Sequence, residues 1–213
     1  MRDAGVGRVL VASLHQGIAD ILPTRLTFYE NWLNPKGLRA GTIGLAPLYA
    51  VLSFLRLEGE AYQLIVTRAG EYAAEWTVQS MSGVERTLIR AAPVSLRRRM
   101  VIRRARQLVR SAYRGSRAVS RITNGVASVD VRASVFCSVR DIVPQPLCGF
   151  YAAAFTKLLS TFNMPVTTQV VACRGTGKPS CVLEVVSTNG QVGQVGQVGQ
   201  VGQVGQVGHG SKK

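Results

Sequence analysis

Cys173-Arg-Gly-Thr-Gly-Lys-Pro-Ser-Cys181 joins two apolar, β-branched runs, Val166 to Cys173 and Cys181 to Val186. Seven residues lie between the cysteines, and they are turn-forming or polar types, so the segment reads as a hairpin that brings the two sulfurs together. Two more cysteines, Cys148 and Cys137, lie upstream. Thiolates are soft ligands, and four of them meeting between a hairpin and a neighbouring helix suit tetrahedral zinc. The intervals are not those of the closely spaced cysteine pairs of common zinc folds, and free cysteines also serve as small buried apolar groups, which suits Cys137 after Val135-Phe136.

Working outward, the 213 residues, 46% of them hydrophobic, can build one core of ordinary size. From Gly190 to Val207 the triplet Gly-Gln-Val repeats six times and supplies no core residue pattern. We expect one domain over 1–188 and a flexible low-complexity tail over 189–213. Four cysteines without a cleavable leader fit a reducing cytoplasm. The longest apolar stretch, Ile43 to Leu55, contains Pro47 and falls short of the roughly 20 residues that cross a bilayer. A formal net charge of +15 predicts attraction to polyanions without naming one.

Periodicity predicts two short helices over 13–33, broken at Pro23, a turn at Asn34-Pro35-Lys36-Gly37, and an apolar helix from Ile43 to Leu57 buried on most faces. Ala61 to Thr67 has the composition of a strand, and Ala69 to Met81 that of a helix. Leu96 to Tyr113 is an amphipathic helix. Arg99, Arg103, Arg106, Arg110, Arg114 and Arg117 form one face, and Val101, Ala105, Leu108 and Ala112 the other. Val119 to Phe136 reads as two strands turning at Asn124-Gly125, and Leu147 to Phe162 as a helix with Phe150, Ala154, Leu158 and Phe162 on one stripe.

From Val135 to Val186 the order is apolar strand, cysteine, a second cysteine opening Leu147-Cys148-Gly149-Phe150-Tyr151-Ala152, then Cys173, a glycine-bearing turn and Cys181-Val182-Leu183-Glu184-Val185. This resembles the C-terminal half of the 4-vinyl-reductase domain, a bacterial ligand-binding module that shares its fold with the small subunits of TRAPP tethering complexes. The resemblance implies an α+β, TRAPP-like fold, an antiparallel sheet covered by helices. In the similar domain of phenol-sensing transcription activators, three cysteines and a glutamate hold a structural zinc. Cys148, Cys173 and Cys181 match those cysteines. Val170 stands where the glutamate is expected and cannot coordinate, so either Cys137 takes the fourth place or the cysteines pack without metal.

No Gly-x-Gly-x-x-Gly or Walker-type loop is present, so no nucleotide or redox cofactor is expected. With only His15 and His209, histidine-assisted catalysis has little support, and an enzyme is the least supported class. The first functional reading is a non-enzymatic sensory domain for a hydrophobic or aromatic small molecule, with Tyr72, Trp76, Phe150, Tyr151 and Phe155 as candidate pocket residues. The alternative is a homodimerising interaction module whose arginine face grips an acidic protein, an anionic membrane surface or nucleic acid.

Overall fold

The computed structural model describes residues 5–33, 44–123 and 126–188. Asn34 to Lys36 and Gly37 to Gly41, the Asn124-Gly125 turn and the repeat tail lie outside the described residues. Seven helices and one four-stranded sheet make an α+β fold among them: α1 (Arg8–Ile21), α2 (Leu26–Leu33), α3 (Leu45–Arg56), α4 (Glu60–Ser80), α5 (Gly83–Ala91), α6 (Val94–Ala112), β1 (Arg117–Thr123), β2 (Val126–Arg132), α7 (Gly149–Thr161), β3 (Val166–Ala172) and β4 (Cys181–Ser187). The sheet is antiparallel throughout, in the order β1-β2-β4-β3.

Helices cover one face of that sheet, and strand alternation shows which residues meet them. Ala118, Ala127, Val129, Val131, Cys181, Leu183 and Val185 are buried, while their chain neighbours are half-buried or exposed. α7 packs on β3 and β4, and α6 on β1. The layer is centred on α4, which runs against α1 on one side and α7 on the other. Two glycines permit that closeness. A Cβ at Gly17 would sit 2.8 Å from Ile65 O, and one at Gly70 would sit 2.2 Å from Phe150 O.

Four expectations change. Ala61 to Thr67 is no strand but the first two turns of α4, because Tyr62, Ile65, Val66, Ala69, Gly70 and Ala73 bury a helical stripe between α1 and α7. Packing on two neighbours outweighs the strand preference of the local composition. The apolar α3 buries one stripe, Leu48, Val51, Leu52 and Leu55, rather than most of its surface. Helix α5 was not foreseen, although Ser82-Gly-Val-Glu85 has the capping-box pattern and Ser82 Oγ accepts a hydrogen bond from Glu85 N at 3.1 Å. The strand expected to run to Phe136 ends at Arg132, and Val135–Cys137 forms a single 3-10 turn. The break at Pro23 is present, as a short 3-10 turn between α1 and α2.

Candidate metal centre

The four cysteines reach one point from three parts of the chain. Ala133, at a φ of +52°, turns the chain out of β2, and the 3-10 turn that follows places Cys137. Cys148 is the N-cap residue of α7. Cys173 and Cys181 flank the β3–β4 hairpin, where Thr176 N and Lys178 N both donate to Cys173 O, at 3.1 and 3.2 Å, and Gly177 supplies the left-handed residue at φ +80°.

Cys137 Sγ lies 3.1 Å from Cys148 Sγ, 3.3 Å from Cys173 Sγ and 3.4 Å from Cys181 Sγ, and Cys148 Sγ is 3.9 Å from Cys173 Sγ. All four sulfurs fall within 4.8 Å of one another. They are free thiols, three of them buried and Cys137 half-buried. A tetrahedral zinc with bonds of about 2.3 Å has sulfurs roughly 3.8 Å apart along each edge, close to this spacing. Cys137 Sγ is the fourth sulfur of the group. Val170, at the position where the resemblance expects a glutamate, is half-buried on β3 opposite Leu183.

Peptide donors prepare the site for negative charge. Leu147 N donates to Cys173 Sγ at 3.3 Å and Arg174 N to Cys181 Sγ at 3.4 Å. Hydrogen bonds from Cys137 and the other thiols, joined by the Leu147 N–H, pull the Cys173 pKa down. Hydrogen bonding to Cys137, then to Cys173 and Cys181, pushes the Cys148 thiol up. Four thiolates at these distances repel one another unless a cation replaces the protons, so the donor set suits a thiophilic dication whose binding releases protons.

A strap from Ser138 to Leu147 closes over this end. Val143 N donates to Gly175 O at 2.8 Å, Tyr62 OH to Leu147 O at 3.1 Å and Gln63 Nε2 to Pro146 O at 2.9 Å. Arg56 Nη2 donates to Phe136 O at 3.1 Å, beside Cys137. Between the strap and the α3–α4 junction lies an open-mouthed cavity of about 310 Å3, lined by Arg56, Gly59, Glu60, Tyr62, Val143 and Leu147 among others. Sequence reasoning missed Arg56 and Tyr62. The available signal was the single arginine closing an otherwise apolar helix.

The five aromatic candidates fall into two groups. Phe150, Tyr151 and Phe155 are fully buried, and Phe136 stacks on Phe150 at 5.0 Å and meets Tyr151 edge-on at 5.4 Å. Tyr72 and Trp76 stack on each other at 5.7 Å on the half-exposed side of α4, where Tyr72 OH donates to Asp20 Oδ2 at 2.6 Å and Arg68 covers its ring. The arginine row is also divided. Arg99, Arg103, Arg106 and Arg110 line a concavity of about 390 Å3 along α6, whereas Arg114 lies beyond the helix end and Arg117 opens β1. The buried side of α6 is as expected, with Val101, Ala105, Leu108 and Ala112 all in the core.

No family model matches the chain, and no curated protein matches it. Among solved structures, an H-NOX protein from S. oneidensis in the Fe(II)NO ligation state is similar at a TM-score of 0.51 and 12% identity, over 86% of this chain and 99% of that one. An NMR structure of a mutant H-NOX domain from Shewanella oneidensis in the Fe(II)CO state gives 0.48 and 13%, over 86% and 99%. The phenol-responsive sensory domain of the transcription activator PoxR, with phenol, gives 0.45 and 15%, over 67% and 74%. At such identities the likeness to the first of these is one of fold. No described helix is long and apolar enough to cross a membrane.

Proposed function

We propose that this chain is a small-molecule-binding domain of the sensory kind, in which Cys137, Cys148, Cys173 and Cys181 hold one structural zinc. The carrying observation is the convergence of four sulfurs within 4.8 Å at the meeting point of the β3–β4 hairpin, the start of α7 and the 3-10 turn after β2. A closed tetrahedral site would join the hairpin, the 3-10 turn and the start of α7, and it leaves no open position for catalysis. The metal would therefore fix a wall of the domain, with the ligand held in the cavity beside it. Phe150, Tyr151 and Phe155 pack the core behind that wall. The Fe(II) states named for the H-NOX structures are not carried over: here the clustered donors are sulfurs, and the one histidine among the described residues, His15, is held by Glu30 at 2.8 Å.

Plasma mass spectrometry on protein purified without added zinc tests the centre. About one zinc per chain is expected, lost from Cys137→Ser and Cys148→Ser variants alike. A folded, metal-free wild-type protein overturns it.

A second reading, a self-pairing module that docks an acidic partner, is favoured by one observation. Arg99, Arg103 and Arg110, three of the four arginines of the α6 concavity, have no hydrogen-bonding or ionic partner among the described residues, while Arg104 beside them is paired with Glu85. Binding of heparin that weakens steeply with salt and is lost when Arg99, Arg103 and Arg110 become glutamine would support it. Unchanged binding would remove it.

A further inference from the structure

The polarity of the cavity beside the cysteine centre selects a class of ligand. Arg56 lines it, half-buried at the end of α3, with Nη2 given to Phe136 O and Nε buried without an acceptor among the described residues. The first turn of α4 borders the same space. Its N-cap, Gly59 at φ +62°, brings no side-chain acceptor, and of the leading N–H groups of this 21-residue helix those of Ala61 and Tyr62 donate to Glu58 O and Gly59 O at 3.3 and 3.2 Å. Tyr62, Val143, Pro144 and Leu147 supply apolar walls, and exposed Glu60 is the only carboxylate among the lining residues.

These features exclude most ligand classes by charge. A neutral molecule offers Arg56 at most a neutral acceptor, whereas a carboxylate offers the stronger charge-assisted hydrogen bond. A dianion adds repulsion from Glu60, and a cation meets Arg56. We propose that the cavity binds a small apolar monocarboxylic acid, its carboxylate on Arg56 and its apolar body against Val143, Pro144 and Leu147. The inference rests on the small-molecule-binding reading and deepens it. The same strap connects ligand and cysteines, since Leu147 gives its N–H to Cys173 Sγ and its carbonyl to Tyr62 OH.

Titration calorimetry of the full chain with 2-naphthoate and with the neutral 2-naphthylmethanol tests this, with metal content measured on the same samples. Naphthoate is expected to bind at least about tenfold more tightly than the alcohol, Arg56→Gln to erase that preference, and Pro144→Trp to weaken both by filling the space. Glu60→Gln is expected to tighten naphthoate a few-fold by removing the opposing charge. Equal binding of acid and alcohol, no binding of either, or an acid preference that survives Arg56→Gln overturns the proposal. Should Arg56→Gln fail to fold, Glu60→Gln decides: tighter acid binding supports the site, and unchanged or weaker binding overturns it. Acid-selective binding by a zinc-free protein keeps this site and removes the zinc reading. Zinc without acid binding does the reverse.

Discussion

Where α4 meets α7, a glycine at position 70 lets two helices approach until a Cβ would collide with Phe150 O, and large apolar side chains fill the space around them. At the cysteine end, the chain from Ser134 to Cys148 has one 3-10 turn of regular structure; Val135, Phe136, Leu147 and Cys148 are buried, and the rest is tied down by hydrogen bonds donated by Arg56, Tyr62 and Gln63 and by one from Val143 N to Gly175 O. The first region is held by burial and close packing, which are additive over many atoms. The second has buried anchors at its two ends, Val135 and Phe136, then Leu147 and Cys148, and between them a strap held by a few directional contacts beside four sulfurs. Burial alone makes the first region stable.

On the proposed zinc reading, chelation is expected to set the two regions apart most strongly. On chelation, amides of residues 134–148 and 173–181 are expected to lose most of their hydrogen-exchange protection while α4 and α7 keep theirs, with several kcal/mol of local stability gone. Uniform loss across the chain would show that the centre holds the whole domain. In the opposite direction, Phe155→Ala is expected to cost about 3–5 kcal/mol in denaturant unfolding and to leave zinc content unchanged. Gly70→Ala is expected to cost roughly 1–3 kcal/mol, since the added methyl must push α4 from α7. A neutral result would mean that the helices separate freely.

The smallest effect falls between the two regions. Among the described residues the buried Tyr151 hydroxyl makes no hydrogen bond of good geometry, although the Ser116 and Ser134 hydroxyls lie near it, and burial pushes its pKa up. Tyr151→Phe is therefore expected to be neutral or stabilising by up to about 1 kcal/mol. A loss of stability would assign the hydroxyl a water-mediated bond.

The legible parts of this fold are those where a residue's neighbours in sequence are also its neighbours in space. Arg99 to Arg110 against Val101 to Ala112 foretold the two sides of α6, and Phe150, Ala154, Leu158 and Phe162 the core side of α7. The turn residues after Cys173 foretold the hairpin. Ala61 to Thr67 misled because its β-branched and aromatic residues pack between two helices as well as they pack on a sheet. The arginine spacing also ran past its element: nothing in the periodicity marks Ala112 as the last helical residue before Arg114 and Arg117.

Composition and periodicity settled the amphipathic helices, the final hairpin and the pairing of Cys173 with Cys181, because these depend on contacts a few residues apart. The arrival of Cys137 beside the other three sulfurs, the division of the aromatics into core and surface groups, and the cavity between Arg56 and Leu147 were decided only in three dimensions. Each depends on residues tens of positions apart, whose meeting is fixed by how α4 packs between α1 and α7 and by where the strap crosses its first turn.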